Sequence, residues 1–283
     1  MILNSARTLL ASVAIAAPLI GVVHAQLVKP LAFEVASVKP NKSLRFSEGM
    51  KTYPGGRLSA TNVPLFLIIT SAYQVAFQSP RLSGGPDWTR REGFDIEATA
   101  EKGAIPGNLP KVIQEAKLMS MLRSLLADRF KLVVRRETKE IPVYALVISK
   151  GGSKLQKAKI EEADCSFEPG PGAIPCHRMG GGQGRGINAQ AVSLADVVRF
   201  VENWTDRPVI DKTGIQGLFE IKTEGWISLR ARPEGAGGNE EGAADPDRPT
   251  LFTIFDRLGL KLERQKAPVE FFVIEHIERP TEN

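Results

Sequence analysis

The stretch Leu58-Ser-Ala-Thr-Asn-Val-Pro-Leu65 has a counterpart later in the chain, Ile187-Asn-Ala-Gln-Ala-Val-Ser-Leu194. Each alternates apolar and polar residues as a half-buried strand does, then reaches Pro64 or Ser193. Proline suits the first turn of a helix and serine suits its N-cap, so each stretch predicts a strand that stops where a helix opens. The apolar residues that follow, Leu65, Ile68, Ile69, Ala72 and Leu194, Val197, Val198, Val201, keep the i, i+3, i+4, i+7 spacing of a helix with one buried face. Both helices are therefore expected to lie on a sheet.

The correspondence continues downstream in the same order. Phe94-Asp-Ile-Glu-Ala98 parallels Phe219-Glu-Ile-Lys-Thr223, each an alternating strand. Met121-Leu-Arg-Ser-Leu-Leu-Ala-Asp-Arg-Phe-Lys-Leu132 parallels Leu251-Phe-Thr-Ile-Phe-Asp-Arg-Leu-Gly-Leu-Lys-Leu262, a helix running into a strand. Pro142-Val-Tyr-Ala-Leu-Val-Ile148 parallels Pro268-Val-Glu-Phe-Phe-Val-Ile274. Each half thus reads strand, helix, strand, helix, strand, strand. The last two strands are expected as an antiparallel hairpin turning through Glu137 to Glu140, or through Lys266 to Ala267. Matched blocks in one order predict an internal duplication and an α+β fold with mainly antiparallel sheets. The first unit would cover 26–150, with an extra leading strand at Phe33-Glu-Val-Ala-Ser-Val38, and the second 187–283. Between them, 151–186 reads as a Gly/Pro-rich connector, its tract Gly180-Gly-Gly-Gln-Gly-Arg-Gly186 as flexible linkage. Residues 232–249, rich in Gly, Ala, Asp and Glu, read as a flexible insertion.

Residues 1–25 carry one charge, Arg7, then an apolar run from Leu9 to Val23 and the small-x-small sequence Val23-His24-Ala25. This pattern predicts a secretory signal peptide cleaved after Ala25; the alternative is an uncleaved membrane anchor. No later stretch is apolar over the length of a membrane span, so an exported protein, periplasmic or extracellular, without stable membrane insertion after cleavage, is expected. The 283 residues hold 37 Lys+Arg against 32 Asp+Glu, 3 His and 2 Cys. So few histidines and cysteines argue against Cys-rich zinc modules and multi-histidine centres, and neither metal nor cofactor is expected. The modest positive charge is interleaved with carboxylates, as in Arg90-Arg91-Glu92 and Arg135-Arg136-Glu137, so no nucleic-acid partner is expected either.

Export gives the two cysteines a reading. Cys165 and Cys176 lie in a Pro/Gly-rich loop, and in an oxidising compartment they predict one disulfide, with a stabilisation of about 2–3 kcal/mol. The alternative is a metal or redox site using Cys165, Cys176 and His177, which lacks an evident fourth ligand. No nucleophile elbow, zinc-protease helix, phosphate loop or calcium loop is present, so no residue is assigned a catalytic role. His276 reads as a solvent-facing strand residue. The candidate binding residues are Trp88, Asp87 and Tyr73. The turn Gly84-Gly-Pro-Asp-Trp88 could offer an indole to a ligand, the alternative being that Trp88 caps the core. Asp128-Arg129 and Asp256-Arg257 recur at helix ends and read as structural pairs. A non-enzymatic extracytoplasmic module binding an envelope protein or an extracellular ligand is the leading expectation. The competing one is a secreted hydrolase or carbohydrate-active enzyme with Asp87, Asp95 and Glu97 as candidate acid-base carboxylates.

Leu58–Leu65, Ala72-Tyr-Gln-Val75, Gly84–Trp88, Phe94–Ala98, Met121–Leu132, Lys139-Glu-Ile-Pro-Val-Tyr144 and Gly151-Gly-Ser-Lys-Leu155 together resemble a soil-associated, Acidobacteria-type family of secreted proteins of unknown function. The resemblance runs from about Phe33 to Ile277. Domains of that family also occur attached to membrane metallopeptidases of the beta-lactam-sensor kind, whose zinc motif is absent from this sequence. More weakly, Val192-Ser-Leu-Ala-Asp-Val-Val198, Arg207-Pro-Val-Ile-Asp211 and Gly217-Leu-Phe-Glu-Ile221 resemble the short N-terminal modules of secretins and TonB-dependent receptors. That likeness implies contacts between proteins in the periplasm.

Overall fold

A computed structural model describes residues 30–43, 49–165, 171–230 and 248–280. The expected signal peptide and residues 232–247 of the expected insertion lie outside these described residues. The chain runs β1 (Phe33–Asn41), β2 (Gly49–Tyr53), β3 (Arg57–Pro64), α1 (Leu65–Ala72), β4 (Leu82–Gly84), α2 (Trp88–Arg91), β5 (Gly93–Ala100), α3 (Lys111–Arg129) and β6 (Val133–Ile148). It continues through β7 (Gln156–Lys157), β8 (Gly180–Gly182), β9 (Gly186–Val192), α4 (Leu194–Val201), β10 (Val209–Asp211), β11 (Phe219–Lys222), α5 (Leu251–Arg257) and β12 (Leu260–His276). The class is α+β with mainly antiparallel sheets.

The strand-to-helix switches form where the pattern changes period. Leu65, Ile68, Ile69 and Ala72 of α1 are fully buried, as are Leu194, Val197 and Val201 of α4 within a few per cent. Helices α1 and α3 cover a sheet of order β1-β5-β3-β2, while α4 and α5 belong to the core beside a sheet of order β7-β11-β9-β8. The stretch expected as a connector, 151–186, supplies two strands of the second sheet. Its glycine tract is a β8–β9 hairpin rather than loose linkage. The reason is steric: a Cβ on Gly182 would come within 2.8 Å of the Trp204 ring, and one on Gly181 would run into the Gly186 carbonyl. Glycine is what lets these strands approach.

The hairpins expected at Glu137–Glu140 and Lys266–Ala267 do not form. β6 and β12 are each one long strand, and they pair with each other, antiparallel, from Leu260 opposite Ile148 to His276 opposite Val133. Neither proposed turn contains Gly, Asn or Asp, the residues that accept the left-handed backbone of a tight hairpin, so the chain stays extended. A third sheet results, of order β10-β6-β12-β4. β10 adds parallel to β6 with Val209 opposite Tyr144, and β4 adds parallel to β12 with Phe272 opposite Leu82.

This shared sheet ties the cores together. β6 follows the helix of the first core, yet its far end places Tyr144 and Leu146 in the core built around α4 and α5. β12 starts there with Leu260 and Leu262 and delivers Phe272 and Ile274 to the core around α1 and α3. Val143, Ala267 and Val269 form a smaller apolar cluster on the same two strands. Burying one strand in two cores makes their stabilities interdependent. Leu146→Ala, at a fully buried position, should cost about 2–5 kcal/mol and lower the midpoint of one cooperative unfolding transition. Far-ultraviolet circular dichroism and tryptophan fluorescence recorded along the same urea series check this; two separated transitions would show that the halves unfold independently.

Candidate functional site: a histidine clamped in a cleft

Helix α4 opens with a capping box. The Ser193 hydroxyl accepts from the Asp196 amide at 3.2 Å, and Asp196 Oδ2 accepts from the Ser193 amide at 2.9 Å and from its hydroxyl at 2.8 Å. The box fixes Asp196 at the start of the helix with its carboxylate turned toward the preceding chain. The same oxygen meets His177 Nδ1 at 2.7 Å. On the other side of the ring, Nε2 lies 3.1 Å from both oxygens of Glu162. The imidazole is thus held between two carboxylates.

The backbone that presents His177 is restrained on every side. Cys165 and Cys176 form the expected disulfide, with Cα atoms 5.7 Å apart. Cys176 makes a parallel bridge to Ala191, at the end of β9, and the His177 amide donates to the Ala191 carbonyl at 2.8 Å. His177 takes φ 57°, a left-handed conformation rare for a side chain of this size. From the first half, Lys111 Nζ at the start of α3 donates to the Cys176 carbonyl at 3.1 Å.

Side-chain exposure is only 10% for His177 and 11% for Asp196. The Asp196 hydrogen bond, helped by Glu162 and opposed by partial burial, raises His177 from its ordinary 6.5 to about 8. Burial pushes Asp196 up, but its bonds to His177 and Ser193 outweigh that and leave it below the ordinary carboxylate value. Arg199 Nη2, one turn on, approaches Asp196 Oδ1 at 3.2 Å.

His177, Asp196 and Arg199 line two adjoining cavities between the halves. One, of about 450 Å³, has apolar walls from Leu67 of α1, Val75, Phe77, Met179 and Phe200. The other, of about 320 Å³, combines Arg81, Glu115, Ser193 and Glu202 with the apolar side chains of Val112, Val198 and Val209. Glu202 is 2% exposed, and burial raises its pKa against the opposing pull of the Ser79 hydroxyl, Arg81, the Val209 amide and Arg230. The Ser79 hydroxyl donates to Glu202 across the two halves, and the Gln78 amide donates to Asn203 Oδ1 at 3.2 Å. These bonds fix the width of the cleft.

Trp88, Asp87 and Tyr73 sit elsewhere. Trp88, in α2, is half-buried, packs edge-on against Phe94 with ring centroids 6.3 Å apart, and carries the Arg279 guanidinium 4.8 Å from its ring. Asp87 is exposed and pairs with Arg91 at 3.4 Å. Tyr73 is half-buried against Phe272 at 5.0 Å, and burial raises its hydroxyl pKa. Neither cavity is lined by any of the three. The carboxylates considered for acid-base work hold the first sheet: Asp95 accepts from the Asn41 side chain and from the amide of Asn62, where β3 bulges, and Glu97 accepts from Ser59 at 2.5 Å. His276 is exposed beside Glu278.

Glu162, Asp196, Arg199 and Glu202 were not singled out from sequence. Only the Ser193-x-x-Asp196 capping spacing and the adjacency of Cys176 and His177 hinted at a meeting point. Glu162, Cys165 and His177 bring potential metal-ligand atoms within 4.8 Å of one another. The sulfur is in the disulfide, so the oxidised chain offers no thiolate to an ion.

A family model described as a protein of unknown function (DUF3738) matches residues 67–277. No curated protein and no solved structure matches the chain.

A histidine that holds its proton more tightly when folded contributes stability that is complete below 6.5 and is lost as pH rises through about 8. Asp196, with its pKa depressed, contributes stability that is lost in the opposite direction, as pH falls below the ordinary carboxylate range. The histidine contribution is on the order of 1–2 kcal/mol. Urea denaturation at about pH 6 and about pH 9 should show the native chain losing it, and His177→Gln, which carries no charge, losing distinctly less. Equal losses in the two chains would remove His177 as the source.

Proposed function

From the premise that this chain belongs to the DUF3738 family of proteins of unknown function, we propose that it is a non-enzymatic extracytoplasmic binding protein. Its ligand is a small amphiphilic anion held in the cleft between the halves. The observation that carries this reading is the make-up of that cleft: a cavity of about 450 Å³ with Leu67, Val75, Phe77, Met179 and Phe200 in its walls, ending at His177 and the half-exposed Arg199. Such a volume suits a ligand with one apolar body, and the half-exposed Arg199 guanidinium, which has N–H groups beyond the one given to Asp196, suits a carboxylate or similar head.

Binding is favoured over catalysis by how His177 is held. Both ring nitrogens are engaged by carboxylates, and the Ser193 hydroxyl donates to Asp196 rather than to the imidazole. A general base needs a free nitrogen lone pair aimed at a proton, and a protonated, doubly clamped ring offers none. Export is supported by the leader-like residues 1–25 and by the disulfide, which an oxidising compartment maintains. No helix among the described residues is long and apolar enough to cross a membrane. Descent from a duplicated unit is supported by the orders β1-β5-β3-β2 and β7-β11-β9-β8, in which strands of like position follow one another in like chain order. A role in contacts between envelope proteins is a further part of this reading and rests on the resemblance to periplasmic modules.

Isothermal titration with octanoate and with octylamine separates the possibilities. Octanoate should bind and octylamine should not. Arg199→Ala should weaken octanoate roughly tenfold, the loss of one charge-assisted hydrogen bond, and Leu67→Asp should abolish binding. Equal affinity for the two amphiphiles, or no effect of either substitution, would reject the cleft as an anion-binding site.

A further inference from the structure

Three different ligand types converge where the disulfide loop meets α4: the Glu162 carboxylate, the Cys165 sulfur and the His177 imidazole, with ligand atoms all within 4.8 Å of one another. Two of the three are sheltered, with Cys165 at 8% exposure and the His177 side chain at 10%, while Glu162, at 37%, leaves the group open to an arriving ion. A separate feature points the same way. Asp196 holds Nδ1 of His177 at 2.7 Å, which leaves Nε2 as the nitrogen facing Glu162. A carboxylate behind one ring nitrogen is how metal-ligating histidines are oriented and made more basic.

We propose that opening the Cys165–Cys176 disulfide converts this cluster into a site for a zinc-class divalent ion, with Glu162, Cys165 and His177 as ligands and a water in the fourth position. The reductant is a dithiol: it delivers two electrons and two protons and leaves as its own disulfide, while Cys165 and Cys176 each become a thiol. The arriving ion releases two protons to solvent, one from the Cys165 thiol and one from His177 Nε2, while Nδ1 keeps its proton toward Asp196, and the ion takes the place between Glu162 and Nε2. Thiolate, imidazole and carboxylate together select zinc over calcium or magnesium, which prefer oxygen. The disulfide acts as the lock, because a bonded sulfur has no thiolate to donate.

The test needs no reductant, since Cys176→Ser frees Cys165 permanently. Titrated with cobalt(II), folded Cys176→Ser should develop the near-ultraviolet band of thiolate-to-cobalt charge transfer and the intense visible bands of a tetrahedral site, both bleached by zinc. The oxidised native chain should show neither. In the Cys176→Ser background, His177→Ala and Glu162→Gln should each weaken binding by at least about tenfold, and Asp196→Asn should keep the bands while weakening binding about 10–100-fold. Should Cys176→Ser not fold by itself, zinc should restore its circular dichroism. The proposal is overturned if the charge-transfer band is absent, if it survives unchanged in His177→Ala and Glu162→Gln, if the oxidised native chain binds equally well, or if zinc leaves an unfolded Cys176→Ser chain unfolded.

Discussion

Everything else in this molecule hangs on the pairing of β6 with β12. Two strands of 16 and 17 residues lie antiparallel over nearly their whole length, and each buries its two ends in different cores. Main-chain hydrogen bonds carry the ladder, but apolar burial sets its register. Tyr144, Leu146, Leu260 and Leu262 face one core, Phe272 and Ile274 the other, and a one-residue slip would turn every one of them to the opposite face. The short strands β4 and β10 then dock at opposite ends of this ladder, one from each half. The cleft is a by-product of that arrangement, because α1 and α4 are carried to the same junction by sheets that the ladder holds in place.

Within the cleft, the disulfide loop, the capping box of α4 and the start of α3 each contribute one restraint on His177. Removing water from a charged imidazole is unfavourable unless carboxylates compensate, and here two of them do. The ring is then fixed in position in the wall that the two cavities share. Glu202 contrasts with it: buried beside a hydroxyl and an amide, it is pushed toward its neutral form. Two titratable groups that line one cavity are thus driven in opposite directions by their surroundings, His177 toward charge and Glu202 away from it.

Legibility in the sequence followed the range of the interaction. The α1 and α4 stripes were readable because a helix declares itself through neighbours three and four residues away, and Leu65, Ile69, Leu194 and Val197 are all buried as the spacing demands. The disulfide was readable from two cysteines in a Pro/Gly-rich loop of a chain whose first residues predict export. The long ladder was not: Val133–Ile148 alternates equally well as two short strands or as one long one, and only the missing turn residues favoured the latter. The tract Gly180–Gly186 looked like linkage because glycine has no side chain to show what it packs against, here Trp204. The His177 cluster was hidden for the same reason as the ladder. Glu162, His177 and Asp196 meet only after the loop has been closed by Cys165 and Cys176 and laid against β9. The aromatic in the turn at Gly84–Trp88 drew notice, yet Trp88 spends its ring on Phe94 and Arg279.

The exchange of β6 and β12 between cores also governs the order of events during synthesis. The partner of β6 along its whole length, β12, is the last described strand of the chain, separated from it by nearly the whole second half, so the closing of the ladder is a long-range contact of the kind that slows folding. Neither core can be completed until that strand has been made. While it is awaited, β6 presents Tyr144 and Leu146 to solvent along an unpaired edge, a template for association with other chains. A molecule wired this way gains from being kept unfolded until its C-terminal strand is present, so that both cores close in one step.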